Sequence, residues 1–187
     1  MANYHYELSW KAAFKTCGYK QLLKDSFVPF MISLILVVLS CIQGRCKHVE
    51  LIEKVCEIQI NVMPAIISIL IAGFAIWISF FLSSSIEFIK CNKDGINILN
   101  ELNASFLIEI AFSVIGLIFT LVIININCFR FETLQEIASI LNVVVLFLLF
   151  FISFSVVWWL VYIAKNLHNI AKFTVLYDKI KNNMVDN

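Results

Sequence analysis

A bundle of membrane-spanning α-helices is the fold this sequence predicts, and three observations predict it. Of 187 residues, 61% are hydrophobic and 14% charged, with a mean hydropathy of +0.90. A soluble domain of that composition would expose more apolar surface than it could keep from aggregating. The apolar residues also gather into four runs that approach or exceed the ~20 residues needed to cross a hydrocarbon core. Finally, lysine and arginine divide unevenly between alternate loops, which is how orientation is written into polytopic proteins. The predicted class is all-α and polytopic, with four transmembrane helices, both termini cytoplasmic, and helical extensions into the cytoplasm.

The runs follow in chain order. The first, "FVPFMISLILVVLSCIQ" at 27–43, is the shortest. Asp25-Ser26 can cap it, and Pro29 falls in its first turn, where a missing N–H costs nothing. The second is "VMPAIISILIAGFAIWISFFL" at 62–82, preceded by Asn61 with Pro64 near its start. The third, at 104–124, is "ASFLIEIAFSVIGLIFTLVII". The fourth, at 143–164, is the most hydrophobic, and Thr133 to Glu136 ahead of it has capping-box spacing. Each run must be helical, because lipid offers the backbone no hydrogen-bond partner. "NKDG" at 92–95 reads as a turn, with helices two and three projecting past the membrane as a hairpin. The chain thus divides into a cytoplasmic amphipathic arm (1–26), a four-helix domain (27–164) and a basic tail helix (165–187).

Ten basic residues fall in the arm, the 83–103 loop and the tail, against four in the other two loops. That asymmetry puts both ends inside. Trp158, Trp159 and Tyr162 then lie at the inner end of helix four, where an aromatic belt is expected. No cleavable signal peptide is expected, because the first 26 residues are polar and carry four lysines.

One residue stands against this background. Glu109 is the single charge within 104–124. A carboxylate in a span costs a few kcal/mol or more, so it should face the bundle interior or water. Ser105, Ser113, Gly116 and Thr120 share its face at steps of three and four, making a small, polar stripe. Ser79, Ser83, Ser84 and Ser85 end helix two at a similar depth and are candidate hydrogen-bond partners. No lysine or arginine lies inside any span to neutralise it, so burial favours the neutral acid. Two accounts follow: a proton- or ion-sensitive gate, or a neutral glutamate that fixes helix packing. The packing account is the plainer.

Helix two carries a second pattern, Ala65, Ser68, Ala72, Ala75 and Ser79, a small-residue seam of the kind that lets membrane helices approach closely. Packing within the chain is its ordinary explanation. In the outer segment 46–60, Val49, Ile52 and Val55 recur at helical spacing and predict packing on the membrane or a neighbour. Cys46 and Cys56 lie on that outer side; a disulfide between them and two free thiols are both open. Lys165, His168, Lys172 and Lys179 line one side of the tail and could meet anionic lipid or an acidic partner, although simple inside-positive charge explains them too.

Several functions are disfavoured. A net charge of +1 argues against direct nucleic-acid binding. No CxxC, HExxH or His-Cys cluster supports a metal site, and no cofactor is expected. One membrane carboxylate and three scattered histidines do not make a catalytic constellation, so the chain is not expected to be an enzyme. A lone four-helix bundle packs around side chains, so any conduit requires oligomers. Two readings remain: a membrane-embedded sensor or anchor subunit, or a small oligomeric channel or transporter subunit. Transporters usually show broken helices or inverted repeats, and their absence from the sequence favours the first.

The lysine-bearing arm, "NVMPAIISILIAGFAI" opening helix two, the Phe-rich "FLLFFISFSVVWWLV" and the basic tail together resemble the four-span membrane subunit of the Kiwa family of bacterial antiphage systems. The resemblance covers the whole chain as a layout. It implies a homotetramer in the bacterial inner membrane that senses phage and controls a cytosolic effector, with no catalytic residue to carry over.

The orientation is tested by thiol labelling of intact cells. Reagent outside should reach Cys46, Cys56 or Cys128, after reduction if any are paired, and should not reach Cys17 or Cys91. The reverse pattern inverts the topology.

Overall fold

A computed structural model describes residues 24–42, 47–82, 93–127 and 135–185. Four helices account for these: α1 (Phe27–Ile42), α2 (Lys47–Leu82), α3 (Lys93–Asn127) and α4 (Gln135–Val185). α2, α3 and α4 are long and apolar enough to cross a membrane. α1 has 16 residues, or ~24 Å of rise, short of the ~30 Å hydrocarbon thickness. The chain is therefore an all-helical membrane protein with three full-length candidate spans and one shorter apolar helix.

The helices are longer than the apolar runs that mark them. α2 runs unbroken through 36 residues, so the expected outer segment and second span are one element, with Pro64 in its interior. Asn61 is likewise inside the helix and does not cap it; its Nδ2 donates to the Glu57 carbonyl at 3.0 Å. The proline removes one backbone bond, which membrane helices tolerate because neighbouring groups can re-satisfy the freed carbonyl. The residues expected to pack on the membrane or a neighbour differ in their placement along this helix. Val49 is exposed, Val55 half-buried and Ile52 buried. At the start of α1, the Ser26 carbonyl accepts from the Phe30 N–H at 3.0 Å.

Successive helices run antiparallel. At the upper end, where α2 begins and α3 finishes, Gln59 bonds the Leu149 carbonyl and Thr120 bonds Gln59. At the lower end Trp77 donates to Asn103 and Tyr162 donates to Glu101 at 2.6 Å. α1 leans on α4, with Phe30 edge-on to Phe147 (centroids 5.4 Å apart) and Phe151 (6.4 Å). Two apolar clusters fill the interior. The upper one joins Val37, Ile52, Cys56, Leu146 and Leu149. The lower one joins Leu70, Trp77, Leu99, Leu102, Phe106, Ile163 and Ile170. Ile163 closes the fourth apolar run and Ile170 lies past it, so the packed bundle extends beyond that run. The surfaces turned away from these clusters are largely Ile, Leu, Val and Phe, as lipid requires.

Two expectations change. The aromatic belt is mostly internal: Trp158 is exposed, but Trp159 is buried and Tyr162 is half-buried on Glu101. Cys56 is a free thiol, fully buried against α4 and shielded from thiol reagents. Cys46, the arm to residue 23 and the capping-box Thr133 lie outside the described residues.

α3 and α4 pack closely at Gly116. A Cβ there would lie 2.5 Å from Ile152 Cγ2, which is held by a branched carbon and cannot swing away. At Gly73 an added Cβ meets only Phe106 Cε1, at 3.6 Å, an ordinary contact. Gly73→Ala should therefore be neutral or raise the melting temperature slightly, as helix propensity favours alanine by up to ~1 kcal/mol. Gly116→Ala should lower it by about 1–3 kcal/mol of overpacking, with Ile152→Ala in the same chain recovering part of the loss. Thermal unfolding in detergent checks both, and equal tolerance at the two glycines would contradict the packing described.

Candidate functional site

Lipid-facing helices can leave no polar side chain unpaired without cost. The inner face of α3 carries Ser105, Glu109, Ser113, Gly116 and Thr120, and all five are buried. The stripe read from sequence thus faces α2 and α4. How each group is satisfied differs from top to bottom.

At the top, Gln59 is the hub. Its Nε2 donates to the Leu149 carbonyl at 2.8 Å and to Ser153 Oγ at 2.6 Å. Its Oε1 accepts from Thr120, whose single proton is shared with the Gly116 carbonyl 2.9 Å away. One amide therefore ties three helices together. At the bottom, Asn103 accepts from the buried Trp77 indole, and Ser105 turns back to the Glu101 carbonyl at 2.8 Å. Asp25, just ahead of α1, is pushed above the usual carboxylate range mainly by burial; Lys24 lowers it and Glu101 raises it again.

Between these two layers lies Glu109. It is 1% exposed, and neither carboxyl oxygen has a hydrogen-bond partner among the described residues. Ser113, one turn above it, and Ser155 on α4 are also buried and also leave their hydroxyls without a partner there. Ser79, expected to bond Glu109, is exposed and donates instead to the Ala75 carbonyl at 2.9 Å. Ser83, Ser84 and Ser85 lie outside the described residues. Among the described residues, the bonds of a hydrogen-bonded packing glutamate are therefore not present. His48 Nε2, near the start of α2, is similarly buried without a partner.

The seam on α2 is placed differently from the expectation. Ala65, Ser68, Ala72, Ala75 and Ser79 are all exposed, so they do not pack against the other described helices. The same face continues upward through Asn61, Glu57, Lys54 and Glu50, all exposed, with Lys54 bonded to Glu50 at 2.7 Å. α2 thus presents a small and polar face along most of its length. On the tail, Lys165, His168 and Lys172 are exposed, and Lys179 lies in the helical extension without a described side chain.

Sequence reasoning missed Gln59, Asn103, Ser155 and His48. For Gln59 a signal existed: it shares a helical face with the apolar Ile52, Cys56 and Met63, all of them buried. Among the described residues no group of three or more His, Cys, Asp or Glu side chains could hold a metal ion. No protein-family model, curated protein or solved structure matches the chain.

Gln59→Leu keeps the volume and removes the bridge. Thr120 and Ser153 can fall back on their own helix carbonyls, so the loss should be about 1–2 kcal/mol. Thr120→Val should cost less once Gln59 is leucine than it does in the parent, by about 0.5 kcal/mol or more. Additive losses in a double-mutant cycle would mean that the two side chains do not act together.

Proposed function

We propose that this protein is the membrane-embedded, homo-oligomeric sensor or anchor subunit of a bacterial antiphage system, coupling a membrane event to a cytosolic effector. The observation that carries the coupling is α4, one uninterrupted helix of 51 residues. Its rise of ~76 Å is more than twice a hydrocarbon thickness. Apolar through its first half, it continues as an extension bearing Lys165, Lys172 and Lys179. A displacement at its membrane half is transmitted to that extension without a hinge. In this reading α1 also crosses as a fourth span, both termini are cytoplasmic, and the membrane is the bacterial inner membrane. The charge split of ten against four supports that orientation.

The exposed face of α2 supports association. Glu57 and Asn61 sit at the level of Thr120 and Leu149, joined there through Gln59, and lipid solvates neither well. A second copy of the same face covers them, while the small residues below permit close approach. A tetramer is the assembly that the family resemblance implies. The other reading, a small oligomeric channel or transporter subunit, draws its support from the unpartnered Glu109 inside the bundle.

Native mass spectrometry of the full chain should show three or more copies, most often four, and Ala72→Cys should form disulfide-linked dimers in membranes. A monomer throughout, with no cross-link, would remove the oligomeric reading. If the tail carries the coupling, Lys165→Glu with Lys172→Glu should assemble normally yet lose phage protection in cells.

A further inference from the structure

One face of α4 changes from apolar to basic along its length without turning inward. Val157, Trp158 and Val161 on it are exposed. Lys165, His168 and Lys172 continue it at steps of three and four and are exposed too. The opposite face, with Val156, Trp159, Ile163 and Ile170, is buried. The bundle therefore fixes which way this face points, and it points outward.

Its depth follows from the neighbouring helices. Tyr162 donates to Glu101 at 2.6 Å, and Asp25, ahead of α1, interacts electrostatically with both. Polar groups thus return on three elements at one level, which marks the edge of the hydrocarbon. Past Tyr162, Lys165 lies ~4.5 Å further along α4, His168 ~9 Å and Lys172 ~15 Å. The headgroup layer is ~5–7 Å thick. Helical side chains lean toward the N-terminus of their helix, which here is back toward the membrane. Lys165 and His168 therefore reach the headgroups, and Lys172 lies beyond them.

Charge completes the picture. Lys54, near the other end of the bundle, is paired with Glu50. Lys165 is in no ion pair among the described residues, and 137–177 of α4 contains no acidic residue. A cation at headgroup depth is left for the membrane to neutralise.

We propose that the face of α4 from Trp158 to His168 binds one anionic phospholipid, its phosphate on Lys165 Nζ and a His168 ring N–H, its acyl chains along Trp158 and Val161. The ammonium supplies the complementary charge, and the imidazole adds a hydrogen bond. An exposed indole at this height suits the boundary between chain and headgroup. A zwitterionic headgroup carries no net charge and gains less from Lys165. Lipid is the occupant because Lys165 lies within the layer that lipid itself fills. The proposal rests on membrane embedding and not on the sensor reading, and it leaves Lys172 available for the coupling described above.

Fluorescence quenching in vesicles tests it. The full chain is reconstituted in phosphatidylcholine with phosphatidylglycerol, and the acyl chains of one lipid at a time carry bromine, which quenches nearby indoles. Brominated phosphatidylglycerol should quench more than its share of the bilayer predicts, and Trp158→Phe should remove that excess. Lys165→Gln should lower the relative affinity for phosphatidylglycerol about fivefold, the effect of roughly one lysine at a charged surface. Lys172→Gln should leave it unchanged. Both lysines are exposed, so neither substitution should shift the melting temperature. Quenching in proportion to bilayer composition would overturn the proposal and return Lys165 to an acidic protein partner. An excess that survives Trp158→Phe would overturn it as well. So would equal losses from the two lysine variants, the mark of diffuse attraction to the tail. The vesicles contain no effector, so failure here leaves the assembly and coupling tests standing.

Discussion

Everything in this bundle answers to one constraint: a polar side chain turned away from lipid must be satisfied within the bundle, by its own helix or by another, because no bulk water is present. The inner face of α3 concentrates that demand. Thr120 meets it through Gln59, and Gln59 in turn fixes α2 and α4 at one height. Asn103 meets it through the Trp77 indole, at the other end of the same helix pair. These two layers set the register of three long helices, and the apolar clusters fill the spaces between them. Gly116 then permits α3 and α4 to close to a distance that no Cβ would allow.

The middle of the stripe does not obey the pattern. Glu109 lies between two well-bonded layers with both oxygens unpaired among the described residues, and the serines nearest in register are unpaired as well. Natural interiors retain such groups where they serve a purpose beyond stability. A purely structural glutamate would be bonded like Gln59 or Asn103. The contrast within one bundle carries the functional argument, because the same fold buries all three side chains.

Much of this was legible in the sequence, and the limits have physical causes. Apolar runs mark where lipid is, so the four helices and the inward stripe from Ser105 to Thr120 could be read directly. Helix ends could not, since nothing in a polar flank says whether the backbone stops at the membrane surface. α2 continues through Asn61 and Pro64 for that reason, whereas a helical tail after the fourth run could be read, and α4 extends to Val185. Lateral placement was harder still. The seam from Ala65 to Ser79 suits a helix contact, but periodicity does not say with whom, and the face turns outward. Cys56 and Ser155 look unremarkable in the sequence and are buried, because the faces they occupy depend on partners far along the chain.

The central claim is that Glu109 is enclosed by the bundle without the hydrogen bonds that satisfy Gln59 and Asn103. Infrared spectroscopy of the full chain in lipid tests it directly, using Glu109→Gln to assign the band. The account predicts a carboxyl carbonyl band at the high-frequency position of a group free of strong hydrogen bonds, missing from the glutamine variant. A Glu109 band at the position of a strongly hydrogen-bonded carboxyl would contradict it and return the residue to a packing role.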